Sequence, residues 1–144
     1  MTLKTLVREA TEADIPAILD LGERFHALSP WRDRPFDREA TERTVANLIA
    51  SPQGVLLFNG EGILGGVLAP IYFGGGLIAQ ELFWFADRGG RELLDGFETW
   101  AREQGACGVL MVNLVLDERT DAIMNRMYER RGYALRERHF YKEL

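Results

Sequence analysis

Leu77-Ile78-Ala79-Gln80-Glu81-Leu82-Phe83-Trp84-Phe85-Ala86 runs without a linker into Asp87-Arg88-Gly89-Gly90-Arg91, and Leu93, Leu94, Phe97, Trp100 and Ala101 then follow at helical spacing. An apolar strand-like run, a glycine turn and an amphipathic helix in immediate succession form a strand-turn-helix unit. Such a unit suits a phosphate. The helix N-terminus leaves backbone N–H groups without intrahelical partners and carries partial positive charge, and glycines let backbone approach an anion unobstructed. Arg88 and Arg91 would add formal charge and forked donors. Glycine in such a turn also has a purely conformational explanation, so the phosphate reading depends on what flanks the unit.

Downstream lies a second unit of the same kind. A β-rich run over 109–116 precedes a helical pattern over 120–131, whose inner face is Ile123, Met124, Met127 and Tyr128. Gly132-Tyr133 and a last strand expected over 134–141 close the chain. Upstream, a short strand is expected around 3–8. Asp14 is placed to cap a first helix over 14–27, with Pro16 in its first turn. Ser29-Pro30-Trp31-Arg32-Asp33-Arg34-Pro35 reads as a loop, and Asp37 caps a second helix that ends at Ser51-Pro52. Strands over 55–58, 63–71 and 77–86, turned at Asn59-Gly60 and Gly74-Gly75-Gly76, read as consecutive antiparallel strands. A third helix over 90–104 ends at Gly105. The order is β-α-α-β-β-β-α-β-α-β, an α/β chain with one mixed sheet and a single domain over residues 1–144.

Bulk properties narrow the function. At 144 residues and 47% hydrophobic, the chain has the size and apolar content of one domain with a core of its own. A net charge of -5 argues against duplex nucleic acid or an acidic membrane surface, which both require excess Lys and Arg. No apolar run approaches the roughly 18 residues that span a bilayer, and the opening residues lack a signal pattern, so a cytoplasmic protein is expected. The single cysteine, Cys107, excludes an intramolecular disulfide and is expected to be buried filler. His26 and His139 have no partners at metal-ligand spacing, so no metal site is expected.

Two phrases carry a resemblance. Tyr128-Glu129-Arg130-Arg131-Gly132-Tyr133 at the end of the last helix, and the opening Ala10-Thr11-Glu12-Ala13-Asp14-Ile15-Pro16-Ala17-Ile18, resemble the GNAT superfamily of N-acetyltransferases. The resemblance spans essentially the whole chain. It implies a GNAT-like fold whose fourth and fifth strands splay apart, with acetyl-CoA as cosubstrate in the gap. The backbone at Phe83 and Phe85 would then meet the pantetheine, and Arg88, Gly89, Gly90, Arg91 and Glu92 would cradle the pyrophosphate. This turn is shorter than the family's usual phosphate motif.

Amine acetylation needs one proton removed from the attacking ammonium and one delivered to the departing thiolate. By the same resemblance Glu81 is the base and Tyr128 the acid. Each residue also has an ordinary alternative: Glu81 as a solvent-facing strand residue, since Gln80 and Glu81 point to opposite faces, and Tyr128 as a core tyrosine. Trp31, Tyr72 and Trp84 are the candidates for lining the acceptor cleft, Trp31 alternatively being a loop anchor. The expected function is direct acetyl transfer from acetyl-CoA to a primary amine on a small molecule or peptide. The alternative, motivated by the short turn, is a noncatalytic CoA-binding or protein-interaction module. A homodimer is carried with it, because the short stretch after Gly132 leaves the last sheet edge for a partner subunit to complete.

Overall fold

Turn residues at Asn59-Gly60 and Gly74-Gly75-Gly76 break an otherwise apolar stretch, and the chain reverses at each of them. In the computed structural model, which describes residues 6–144, the stretch forms β2 (Gly54–Phe58), β3 (Gly62–Pro70) and β4 (Leu77–Ala86), paired antiparallel in sequence. β1 (Arg8–Glu9) adds antiparallel to β2, and β5 (Gly108–Leu110) adds parallel to β4. The sheet order is therefore β1-β2-β3-β4-β5. Residues 3–5 of the expected first strand lie outside the described residues.

β2 is apolar on both faces because both are covered. Leu56 and Phe58, with Ile63 of β3, pack against Ile15, Ile18, Leu19, Val45 and Leu48 from α1 (Ile15–Leu28) and α2 (Arg38–Ala50). Val55 and Leu57, with Leu64 and Ala79, pack against Leu93, Phe97 and Ala101 of α3 (Gly90–Glu103). Leu93, Leu94 and Phe97 are fully buried, each stabilising the fold by about 1.5–3 kcal/mol. Phe97 needs a vacancy to reach the sheet: a Cβ at Gly66 would lie 2.4 Å from its ring.

The described residues divide into two compact units, one ending at Val112 and one spanning Asn113–Leu144. The first holds the five strands and α1–α3; the second holds α4 (Glu118–Arg130). Within the second unit Asp117 caps α4 through a 2.7 Å bond from the Thr120 N–H, and Gly132, at φ +88°, turns the chain after the helix.

Four local expectations are corrected. The Asp14 carboxylate does not cap α1. It accepts the Thr11 N–H at 2.8 Å and both Arg8 nitrogens at 2.7 and 2.8 Å, which holds it well below the usual carboxylate range and closes a 3-10 turn over Glu12–Asp14. β5 stops at Leu110 instead of continuing to Val115, and Val115 and Leu116 are exposed. Residues 134–141 form no strand: Arg136, Glu137, Arg138 and His139 put polar groups on both faces of any extended segment, leaving no apolar face to bury. Cys107 is exposed, because its N–H is bonded to the Leu77 carbonyl at 2.8 Å just after the Gly105 turn and its thiol lies outward beside Gly76.

Candidate functional site

β4 is the strand on which the site is built. It pairs with β5 only through Ile78, Ala79 and Gln80, so the edge from Glu81 to Ala86 continues without β5. The register explains the departure. Gly65 stands opposite Phe83 and Gly66 opposite Glu81, so Leu82 is an extra residue, and a bulge of this kind bends its strand and increases its twist. Gly65 and Gly66 make the bulge feasible, since the Phe83 ring occupies the space of a Gly65 side chain at 2.5 Å. Paired glycines inside an apolar strand were the sequence signal for such a distortion.

Phe83 and Phe85 point their rings inward, toward the side of α1 and α2, and Phe85 stacks on Phe25 at 5.1 Å. Their side chains are thus committed to packing. Backbone is what they have to offer a ligand along the free edge.

Glu81 is buried, which removes the reading of it as a solvent-facing residue. Opposite residues of an antiparallel pair share a face, and Gly66 faces Phe97, so Glu81 stands with Ala79 on the side covered by α3. Among the described residues nothing is hydrogen-bonded to its carboxyl. Burial alone pushes its pKa up from 4.5 to about 8, so the group is mostly neutral at pH 7.

At the end of β4, Asp87, Arg88 and Gly89 lead into α3. Gly89 has φ +73°, a left-handed conformation that costs any other residue strain, so its glycine is conformational. Gly90 is different. A Cβ there would meet Ala86 and Trp84 at 3.6 Å, ordinary contact, so packing does not require a glycine. The first intrahelical bond is from the Leu93 N–H to the Gly89 carbonyl at 3.1 Å; the amides of Gly90, Arg91 and Glu92 precede it and have no acceptor within the helix.

Three residues around this turn were not singled out from sequence. Asn59 is buried, and its Nδ2 donates to the Arg88 carbonyl at 2.9 Å. Arg24 of α1 forms an ion pair with Asp87 and lies 5.8 Å over the Phe85 ring. Glu61 accepts the Asp87 N–H at 2.9 Å. Asn59-Gly60-Glu61 was legible as a hairpin turn, but its second partner is distant in sequence. An open cleft of about 300 Å³ lies here, lined by Leu21, Arg24, Gly60, Glu61 and Asp87.

The proposed acceptor residues are dispersed along this unit. Trp84 shares the α3 side with Leu64, its indole beside Gly90. Tyr72 is almost fully exposed at the tip of the β3–β4 hairpin, at the opposite end of β4 from Gly89. Trp31 is 44% exposed in a 3-10 turn over Pro30–Asp33, which the buried Ser29 hydroxyl caps by accepting the Trp31 N–H at 3.2 Å. In the second unit Tyr128 is buried on α4 with its ring edge-on to Tyr133 at 5.3 Å, and the Asn113 amide donates to Asp121 at 2.6 Å.

No protein-family model matches the sequence, and no curated protein matches it. Solved structures do. One from Arthrobacter sp. FB24, described as an acetyltransferase, is 22% identical, with a TM-score of 0.74 and coverage of 100% of this chain and 99% of the other. A transcriptional regulator from Bacillus halodurans C-125 has a TM-score of 0.73 at 18% identity, covering 96% of this chain and 99% of the other. An aminoglycoside acetyltransferase from an uncultured soil metagenomic sample, in complex with sisomicin, has a TM-score of 0.67 at 17% identity, covering 96% and 95%. With a mixed five-stranded sheet, a released β4 edge and a glycine turn into α3, the chain has the GNAT acetyltransferase fold.

Proposed function

We propose that the protein, as one domain over residues 1–144, is an acetyl-CoA-dependent N-acetyltransferase that transfers the acetyl group directly to a primary amine. The observation that carries this reading is β4 itself: a strand edge released by β5, bearing the buried Glu81 and ending in an unobstructed helix N-terminus. An extended chain with amides fits such an edge, and a diphosphate fits the free N–H groups at the start of α3. The fit lies in the amides of Gly90, Arg91 and Glu92, which have no acceptor within the helix. Acetyl-CoA brings an activated acyl group and a leaving thiol.

The residues then divide the work. The amides of Gly90, Arg91 and Glu92, with the Arg88 and Arg91 side chains, hold the pyrophosphate. The Phe83 and Phe85 backbone aligns the pantetheine, and a backbone N–H at Phe83 polarises the thioester carbonyl. Glu81, once ionised, takes a proton from the incoming ammonium directly or through water. The amine nitrogen bonds to the acyl carbon, the carbon–sulfur bond breaks, Tyr128 protonates the thiolate, and the second proton shed by the nitrogen returns to the Tyr128 phenolate through water. Trp31 and Tyr72 are the candidate contacts of the acceptor, Trp84 lying instead beside Gly90 at the other end of β4.

The acceptor class is a small-molecule or peptide amine. The fold's likeness to an aminoglycoside acetyltransferase solved with sisomicin supports a small molecule, and a net charge of -5 favours approach of a cation. A cytoplasmic setting, where acetyl-CoA is made, suits this activity. The likeness to a transcriptional regulator supports the second reading, a noncatalytic module that retains the fold, alone or as a homodimer.

Calorimetric titration with acetyl-CoA and with CoA, on the native protein and an Arg88→Ala/Arg91→Ala variant, tests the site. Saturable binding weakened in the variant, followed by CoA release on an amine panel, supports transfer. Binding without turnover on any amine favours the module, and no binding at millimolar acetyl-CoA rejects the transferase.

A further inference from the structure

Both ends of one buried amide are engaged across 29 residues of sequence. Asn59 follows β2; its Oδ1 accepts the Glu61 N–H at 2.9 Å and its Nδ2 donates to the Arg88 carbonyl at 2.9 Å. An N–H on one side and a carbonyl on the other leave a single orientation for the amide. The same turn grips the neighbouring residues. The Asp87 N–H donates to the Glu61 carbonyl at 2.9 Å, and a Cβ at Gly62 would lie 2.4 Å from the Ala86 Cβ, so the two backbones are in close approach.

The consequence lies in the next peptide unit. The chain has no cis peptide bonds among the described residues, and in a planar trans peptide the C=O and N–H point in opposite directions. With the Arg88 carbonyl turned toward Asn59, the Gly89 N–H is turned away from the β2–β3 turn, and among the described residues it has no acceptor. We propose that Asn59 is a positioning residue of the diphosphate site: by holding the Arg88 carbonyl it aims the Gly89 N–H outward, adding one donor to those of Gly90, Arg91 and Glu92. This rests on the reading of the turn as a pyrophosphate site. A short glycine turn has few converging amides, and orienting one more from behind compensates for its length.

Asn59→Ser separates this role from a structural one. A serine hydroxyl accepts the Glu61 N–H and keeps the turn, but is too short to reach the Arg88 carbonyl. The full chain is titrated with CoA and with pantetheine, which lacks the phosphates. Loss of one oriented donor to a charged group raises the CoA Kd about tenfold in the variant and leaves the pantetheine Kd unchanged. Asn59→Thr, uncharged, with a hydroxyl in the same place and equally unable to reach the Arg88 carbonyl, is the second variant and weakens CoA binding to the same extent. Native CoA affinity in both variants overturns the proposal, as does equal loss of CoA and pantetheine, which marks a structural role only. If the native protein binds CoA no more tightly than pantetheine, the diphosphate site itself is refuted, and the role of Asn59 falls with it.

Discussion

Gly66 stands directly opposite Glu81 across the β3–β4 pair, and the space a side chain at Gly66 would fill is taken by the ring of Phe97, 2.4 Å from the position of its Cβ. A carboxyl thus shares a sheet face with an aromatic core. The cost of ionising it there is what raises its pKa to about 8.

Glu81 makes stability fall as pH rises. Below 4.5 the group is protonated in both states; above it the unfolded chain ionises first, so stability declines until about pH 8 and is then flat. Glu81→Gln removes this decline, a few kcal/mol in total, in melting curves taken from pH 5 to 9. Activity moves the opposite way. If Glu81 is the base, kcat/KM rises about tenfold per pH unit up to about pH 8, and Glu81→Gln lowers it by roughly 10²–10⁴.

The two glycines of the turn between β4 and α3 respond differently to alanine. Gly89→Ala forces a side chain into φ +73° and destabilises by about 1–2 kcal/mol. Gly90→Ala finds 3.6 Å of clearance and a helical position that favours alanine, so its melting temperature is unchanged or slightly higher. Its CoA affinity stays near native, because the added methyl lies against Ala86 and Trp84. Paired melting and titration experiments separate the effects.

Arg24 pairs with Asp87, a carboxylate placed immediately before the Arg88-Gly89-Gly90 turn. The pair is exposed on both sides, so Arg24→Ala costs at most about 1 kcal/mol of stability. CoA binding weakens severalfold at low salt, and the difference shrinks at high salt. Asp87→Asn in the same background restores affinity, as binding measurements on the double variant test.

Tyr128→Phe keeps the ring that packs on Tyr133 and removes only the hydroxyl. Turnover falls by about 10²-fold or more if the phenol is the acid, and the Kd for acetyl-CoA stays within twofold. Steady-state kinetics beside calorimetry check both halves, and native turnover in the variant removes Tyr128 from the mechanism.

The bounds of β4, the glycine turn, α3 and the two helices before the sheet were legible in the chain, because each rests on local periodicity and on turn or cap residues a few positions apart. So was the candidacy of Arg88 and Gly90, since strand, turn and helix start adjoin in sequence, whereas that of Glu81 came from the resemblance. Local pattern misled where pairing decides. The apolar run after Gly108 has the composition of a long strand, yet β5 ends at Leu110, after β4 turns away at a bulge set by which residues face Gly65 and Gly66. The face occupied by Glu81, its desolvation, the Arg24–Asp87 pair and the grip of Asn59 on Arg88 all join residues far apart along the chain. Periodicity determines which residues are helical, extended or turned; only tertiary packing determines which of them meet, because burial and hydrogen bonding depend on neighbours that the local sequence does not specify.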